Sequence, residues 1–177
     1  MRPPSVVEKL DVQPSLDKPS EVVYNALEAA KTQVGEKVFD ALHGEWMGHP
    51  LHPALTDVPV GAFTAAAIFD AVGADTAADA SMVLGLASAL PTAVTGLADW
   101  FAVKDERVGR TGVVHAAANT TALLLYGSSL VARKQGNRAL GKGLGWLGFA
   151  VLTVGAYLGG HMVYHLGAGQ TGQPGKV

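Results

Sequence analysis

The sequence predicts an all-α fold: an integral membrane, up-down four-helix bundle preceded by an amphipathic N-terminal helix. Three observations carry this. Of 177 residues, 49 % are hydrophobic and 16 % charged, with a mean hydropathy of +0.24, whereas soluble domains carry about 25 % charge. Thirteen of the 28 charged side chains lie before Pro53, and none lies between Gly143 and Gly175. Beyond Trp46, four mostly apolar segments are each long enough to cross a bilayer core, which takes about 20 residues.

In chain order, residues 1–19 hold four of the nine prolines among mixed charges and read as a flexible tail. No apolar run of signal-peptide type follows Arg2. In residues 20–45, Val23, Leu27, Ala30, Val34 and Val38 fall at helical spacing, with Glu28, Lys31, Glu36 and Lys37 on other faces. This amphipathic helix is slightly acidic, which suits packing on protein better than on anionic lipid.

Residues 46–169 form the membrane domain, and residues 170–177 a flexible C-terminal tail. The four segments run from about Pro53 to Gly73, Ala80 to Phe101, Thr111 to Ala132 and Gly143 to Leu166. Their links are short, which forces antiparallel neighbours. Asp57 and Asp70 leave only twelve uncharged residues between them in the first segment, and a soluble four-helix bundle is the competing architecture. Segments three and four speak against it, because a soluble helix needs a charged face and theirs is Gly, Ala, Ser and Thr.

The chain has no cysteine, which excludes disulfides, thiolate zinc sites, cysteine-ligated clusters and covalent haem of the C-x-x-C-H kind. A net charge of -2 without a large basic cluster argues against nucleic acid as a partner. No H-E-x-x-H, G-x-S-x-G or phosphate-cradling glycine loop is present, and no residue is assigned a catalytic role.

Up-down threading brings all six histidines to one membrane face. His43, His49 and His52 precede or open segment one, His115 lies near the start of segment three, and His161 and His165 close segment four. His115 and His161 sit about 6–8 Å in from their helix ends. His161 and His165 are four apart and share a face. In G-H-P-L-H-P the prolines hold His49 and His52 in an extended turn.

Each of these imidazoles could simply bond across a helix interface. Together they form a potential ligand cluster, and haem b suits a cysteine-free bundle of this size. His49, His52, His115 and His161 are the expected cofactor-binding residues. Asp57, Asp99 and Asn119 would support the imidazoles, and Arg107 and Arg110 would pair with the propionates. The alternative is a bare transition-metal ion on His49, His52, His115, His161 and His165. Spacing alone does not separate the two.

The run Gly48–Phe63 (GHPLHPALTDVPVGAF), the TGLADWF ending at Phe101, His115 with Asn119, and GGHMVYHLGAG from Gly159 to Gly169 resemble the bacterial membrane family known as domain of unknown function 2231. The resemblance covers roughly Trp46 to Gly169. It implies a four-helix integral membrane domain. Members of such families are joined to Rieske-type or cytochrome c-type domains, which implies electron transfer.

The leading functional expectation is therefore a haem b-binding electron-transfer subunit, rather than a stand-alone enzyme, passing electrons between a redox partner and quinone or another haem protein. Its N-terminal helix would dock that partner or a larger respiratory membrane complex. The alternative is a non-redox membrane subunit or small carrier with a His/Asp metal-ion or proton site. The expected setting is the bilayer of the bacterial cytoplasmic membrane, with both termini on one side, and that side cytoplasmic.

Overall fold

The computed structural model describes residues 5–169, and every regular element among them is helical. The helices are α1 (Val6–Asp11), α2 (Asp17–Val34), α3 (Glu36–His43), α4 (Leu51–Ala71), α5 (Asp75–Ala102), α6 (Glu106–Lys134) and α7 (Arg138–Tyr164), with 3-10 turns at Pro14–Leu16 and Glu45–Met47. Three of them, α4, α5 and α7, are long and apolar enough to cross a membrane. At 28 residues α5 measures about 42 Å, more than a hydrocarbon core about 30 Å thick. Pro59 and Pro91 lie inside α4 and α5 without ending them. Helix α6 has 29 residues but falls short of the others in apolarity. His115, Asn119, Thr120, Thr121, Ser128 and Ser129 dilute its centre.

The chain divides into two compact units. One comprises residues Pro53–Ala93 and Ala117–Gly155. Its core is Phe63, Ala66, Met82, Ala122, Tyr126 and Leu152. The rings of Phe63 and Tyr126 stack at 3.9 Å and 8°. Asp70 and Arg133 form a buried ion pair there. Arg133 also reaches Asp79 at 3.0 Å, Arg138 reaches Asp79 at 2.6 Å, and Lys142 reaches Asp75 at 3.0 Å. Three of the four basic residues in the Arg133–Lys142 stretch, Arg133, Arg138 and Lys142, are thus paired with carboxylates of α4 and α5.

The other unit comprises the described residues up to His52, Val94–Ala116, and those from Ala156 onward. Here α2 and α3 lay their apolar side on the end of α5. Phe39 meets Phe101 edge-on at 5.4 Å, beside Ala98, Leu27, Ala30 and Leu42. An aromatic pair of this kind contributes about 0.5–1.5 kcal/mol beyond its buried area. Tyr24 packs on Trp100 and donates its hydroxyl proton to the Val103 carbonyl at 2.5 Å. Burial raises the Tyr24 pKa above the ordinary tyrosine value of 10.0. In the link from α5 to α6, Arg107 holds the Asp105 carboxyl below the usual carboxylate range.

Three sequence expectations are corrected here. Residues 5–16, expected in a flexible tail, form α1 and a 3-10 turn, because Ser5 and Glu8 cap α1 reciprocally and Pro14 opens the turn. The amphipathic helix expected over 20–45 starts at Asp17 and breaks at Gly35, whose φ of 90° leaves the helical region. His52, expected in an extended turn, lies in the first turn of α4, which starts at Leu51 and tolerates Pro53 there. Residues 1–4 and 170–177, the outer parts of the expected tails, lie outside the described residues.

Candidate metal centre

The histidine pair that closes α7 is a direct product of helical spacing. His161 and His165 are one turn apart, and their rings stack at 4.7 Å and 26°. Opposite them stands α1. Its Glu8 and Asp11 are three residues apart and share a face. Asp11 is only 5 % exposed. Its Oδ2 lies 3.0 Å and its Oδ1 3.2 Å from His161 Nε2. One ligand atom each from Asp11, His161 and His165 falls within 4.8 Å of the others.

The surroundings hold Asp11 in place. Thr111, fully buried at the start of α6, donates its hydroxyl to Asp11 Oδ1 at 2.8 Å. Its neighbour Arg110 donates to the Asp11 main-chain carbonyl at 3.0 Å and to Asp17 at 2.5 Å. A ligand carboxylate oriented by a second hydrogen bond is the usual outer support of a metal site. As the cluster stands, His161 Nε2 and the Asp11 carboxylate lie within hydrogen-bond distance of each other. In a tetrahedral zinc site with bonds of about 2.0–2.1 Å, ligand atoms lie about 3.4 Å apart, against 3.0 Å for Asp11 and His161 and an outer bound of 4.8 Å for all three atoms here.

The remaining expected residues are placed elsewhere. His49 is exposed, with Nδ1 at 3.1 Å from the Pro50 carbonyl oxygen. Gly44 shapes the chain ahead of it: its φ is 94°, and a Cβ there would come 2.5 Å from the His49 carbonyl oxygen. The His52 ring lies over Gly96, where a Cβ would stand 2.8 Å from Cε1. His115 lies over Gly159 in the same way, at 3.1 Å. Imidazole itself therefore occupies the clearance that these glycines provide. Asp99 is taken by His43 Nδ1 at 2.8 Å. Arg107 pairs with Asp105 at 2.9 Å, and Arg110 with Asp17 and Glu106. Asp57, exposed, and Asn119, set against Gly155, belong to the other unit.

Of the expected ligands, the structure thus brings His161 and His165 together. The carboxylate that joins them, Asp11, and its support Thr111 escaped the sequence reading. The signal that could have revealed α1 is S-x-x-E at Ser5–Glu8, a capping box ahead of a short apolar stretch.

Residues 48–172 match the family described as "Predicted membrane protein (DUF2231)". The chain belongs to the DUF2231 family. This DUF2231 protein is accordingly a membrane protein, with His161 and His165 inside the matched region and Glu8 and Asp11 before it. No curated protein and no solved structure matches the chain.

Proposed function

We propose that this protein is a non-redox membrane subunit or small carrier that binds one divalent transition-metal ion on Asp11, His161 and His165. The single observation that carries this is the convergence of those three ligand atoms within 4.8 Å. Two imidazoles and one carboxylate suit Zn2+ and its neighbours better than Ca2+ or Mg2+, which favour all-oxygen sites, or Cu+, which favours sulfur. Three protein ligands leave at least one position of a four-coordinate ion open to water or an incoming group.

The architecture that goes with this reading is the four-helix bundle, with α6 as its fourth span. In support, α6 packs on α5 within each unit: Gly112 faces Trp100 in one, and Ser129 reaches Met82 at 3.7 Å in the other. Four spans place both ends of the chain on one side, and the bacterial cytoplasmic membrane is the proposed setting. The test is metal analysis and zinc titration of protein purified in mild detergent. One ion per chain, lost in His161→Ala, is the expected result. Failure of the intact protein to bind zinc, cobalt or nickel ends the proposal.

Haem b is the second reading. The observation that favours it is the seating of His52 and His115, on α4 and α6, against glycines of α5 and α7. Bound haem would supply one-electron chemistry, with a redox protein partner and quinone or another haem protein as its donor and acceptor. Oxidised and dithionite-reduced spectra of the same sample separate the readings, because a Soret band with a reduced α-band belongs to haem alone.

A further inference from the structure

The ligands of the metal centre come from two segments 150 residues apart, and several contacts of the earlier one converge on Asp11. On α1, Val6 is 78 % exposed, and Val12 just beyond it 67 %. Val7 and Leu10 are half-buried, so the docking of α1 combines some apolar burial with polar contacts. Its polar contacts include Thr111 and His161 on the Asp11 carboxylate, and Arg110 on the Asp11 carbonyl and on Asp17. A second carboxylate of α1 faces the second histidine of α7, with Glu8 Oε1 at 3.9 Å from His165 Nε2. Two carboxylates three apart on one helix thus oppose two imidazoles four apart on another.

We propose that residues 5–17 are a metal-locked strap: an ion held by His161 and His165 takes Asp11 and Glu8 as its other ligands and fastens α1 to the end of α7. This deepens the function proposed above and rests on it. Glu8 fills the position that Asp11, His161 and His165 leave open, completing an N2O2 set of the kind zinc accepts. Release of α1 withdraws both carboxylates together and leaves two imidazoles, a much weaker site. Fastening and ion retention are therefore the same event, and the strap is where uptake or hand-over of the ion is controlled.

The sequence supplies a reporter for this. Arg2 and Lys18 each precede proline and resist trypsin, so Lys9, exposed in the middle of α1, is the one tryptic position before Lys31. Cleavage there requires α1 to open, and its rate follows the open population when reclosing is fast. The experiment compares tryptic cleavage at Lys9 with and without zinc in the intact protein in detergent, with cleavage at Lys37 as the internal control. Zinc at a hundred times its Kd slows Lys9 cleavage up to about 100-fold while Lys37 is unchanged. Glu8→Gln, which keeps the capping box, lowers zinc affinity about tenfold and weakens the protection in step.

Zinc that binds without slowing Lys9 cleavage overturns the strap and leaves the metal centre standing. Absence of zinc binding overturns both. A Glu8→Gln protein with wild-type affinity and protection removes Glu8 from the ligand set and with it the proposal as stated.

Discussion

Arg133 and Asp70 form an ion pair in which each side chain is 2 % exposed, joining α6 to α4. Breaking a buried pair on one side leaves an uncompensated charge, which costs about 3–5 kcal/mol. Asp70→Asn is therefore expected to lower the thermal midpoint in detergent markedly, since Arg133 then has the half-buried Asp79 at 3.0 Å in place of a buried carboxylate. Arg133→Leu combined with Asp70→Leu should recover most of the loss. A double variant as unstable as the single would show that the charges stabilise the fold in their own right.

Thr111 supplies a finer probe of the metal centre than the ligands do. Thr111→Val keeps the buried volume and removes only the hydroxyl that points at Asp11. Loss of such outer support typically lowers metal affinity about 10–100-fold. Zinc titration should show that drop with an unchanged stoichiometry and circular dichroism spectrum. Wild-type affinity in this variant would mean that Asp11 is not held for metal binding by α6.

The glycines predict a rank order. Alanine at position 96 would meet the His52 ring at 2.8 Å, and alanine at 159 would meet His115 at 3.1 Å, whereas Gly127 has open space around it. Overpacking costs about 1–3 kcal/mol, and replacing an open helical glycine gains about 1 kcal/mol. Thermal midpoints should therefore fall most in Gly96→Ala, less in Gly159→Ala, and rise in Gly127→Ala. Equal effects at positions 96 and 127 would contradict the seating of His52.

Tyr24 couples stability to alkaline pH. Its folded-state pKa lies above the ordinary 10.0 because burial disfavours the phenolate. A raised folded pKa contributes stability that is fully present below the unfolded value and is lost as pH rises through the folded one. Unfolding free energy should thus decline from about pH 10 upward. Tyr24→Phe should flatten that decline and cost about 1–2 kcal/mol at neutral pH by leaving the Val103 carbonyl without its donor. The difference in tyrosinate absorbance between the wild-type protein and Tyr24→Phe isolates this group among the four tyrosines.

The long helices were legible because low charge and sustained apolarity persist over twenty residues and more. Each expected segment falls within or beside one of α4 to α7, although Pro59 and Pro91 lie inside them. That His161 and His165 share a face followed from their spacing. What joins them did not. Helix α1 spans only six residues, too few for a periodic pattern, and its structure rests on a cap and on contacts with α6 and α7 far along the chain. Short polar segments carry no hydrophobic pattern to say what they will dock against. The break at Gly35 was hidden for a related reason, because the apolar spacing continues across it from α2 to α3.

The separation of Asp11 from His161 also sets an order for biogenesis. At a synthesis rate of about 5–20 residues per second, Asp11 is made roughly 8–30 s before its partner exists. Until α7 has been made and inserted, Asp11 has no imidazole to meet. On the proposed metal-binding function, zinc capture would begin only after α7 is made, so a nascent chain that ends before His161 would lack the site.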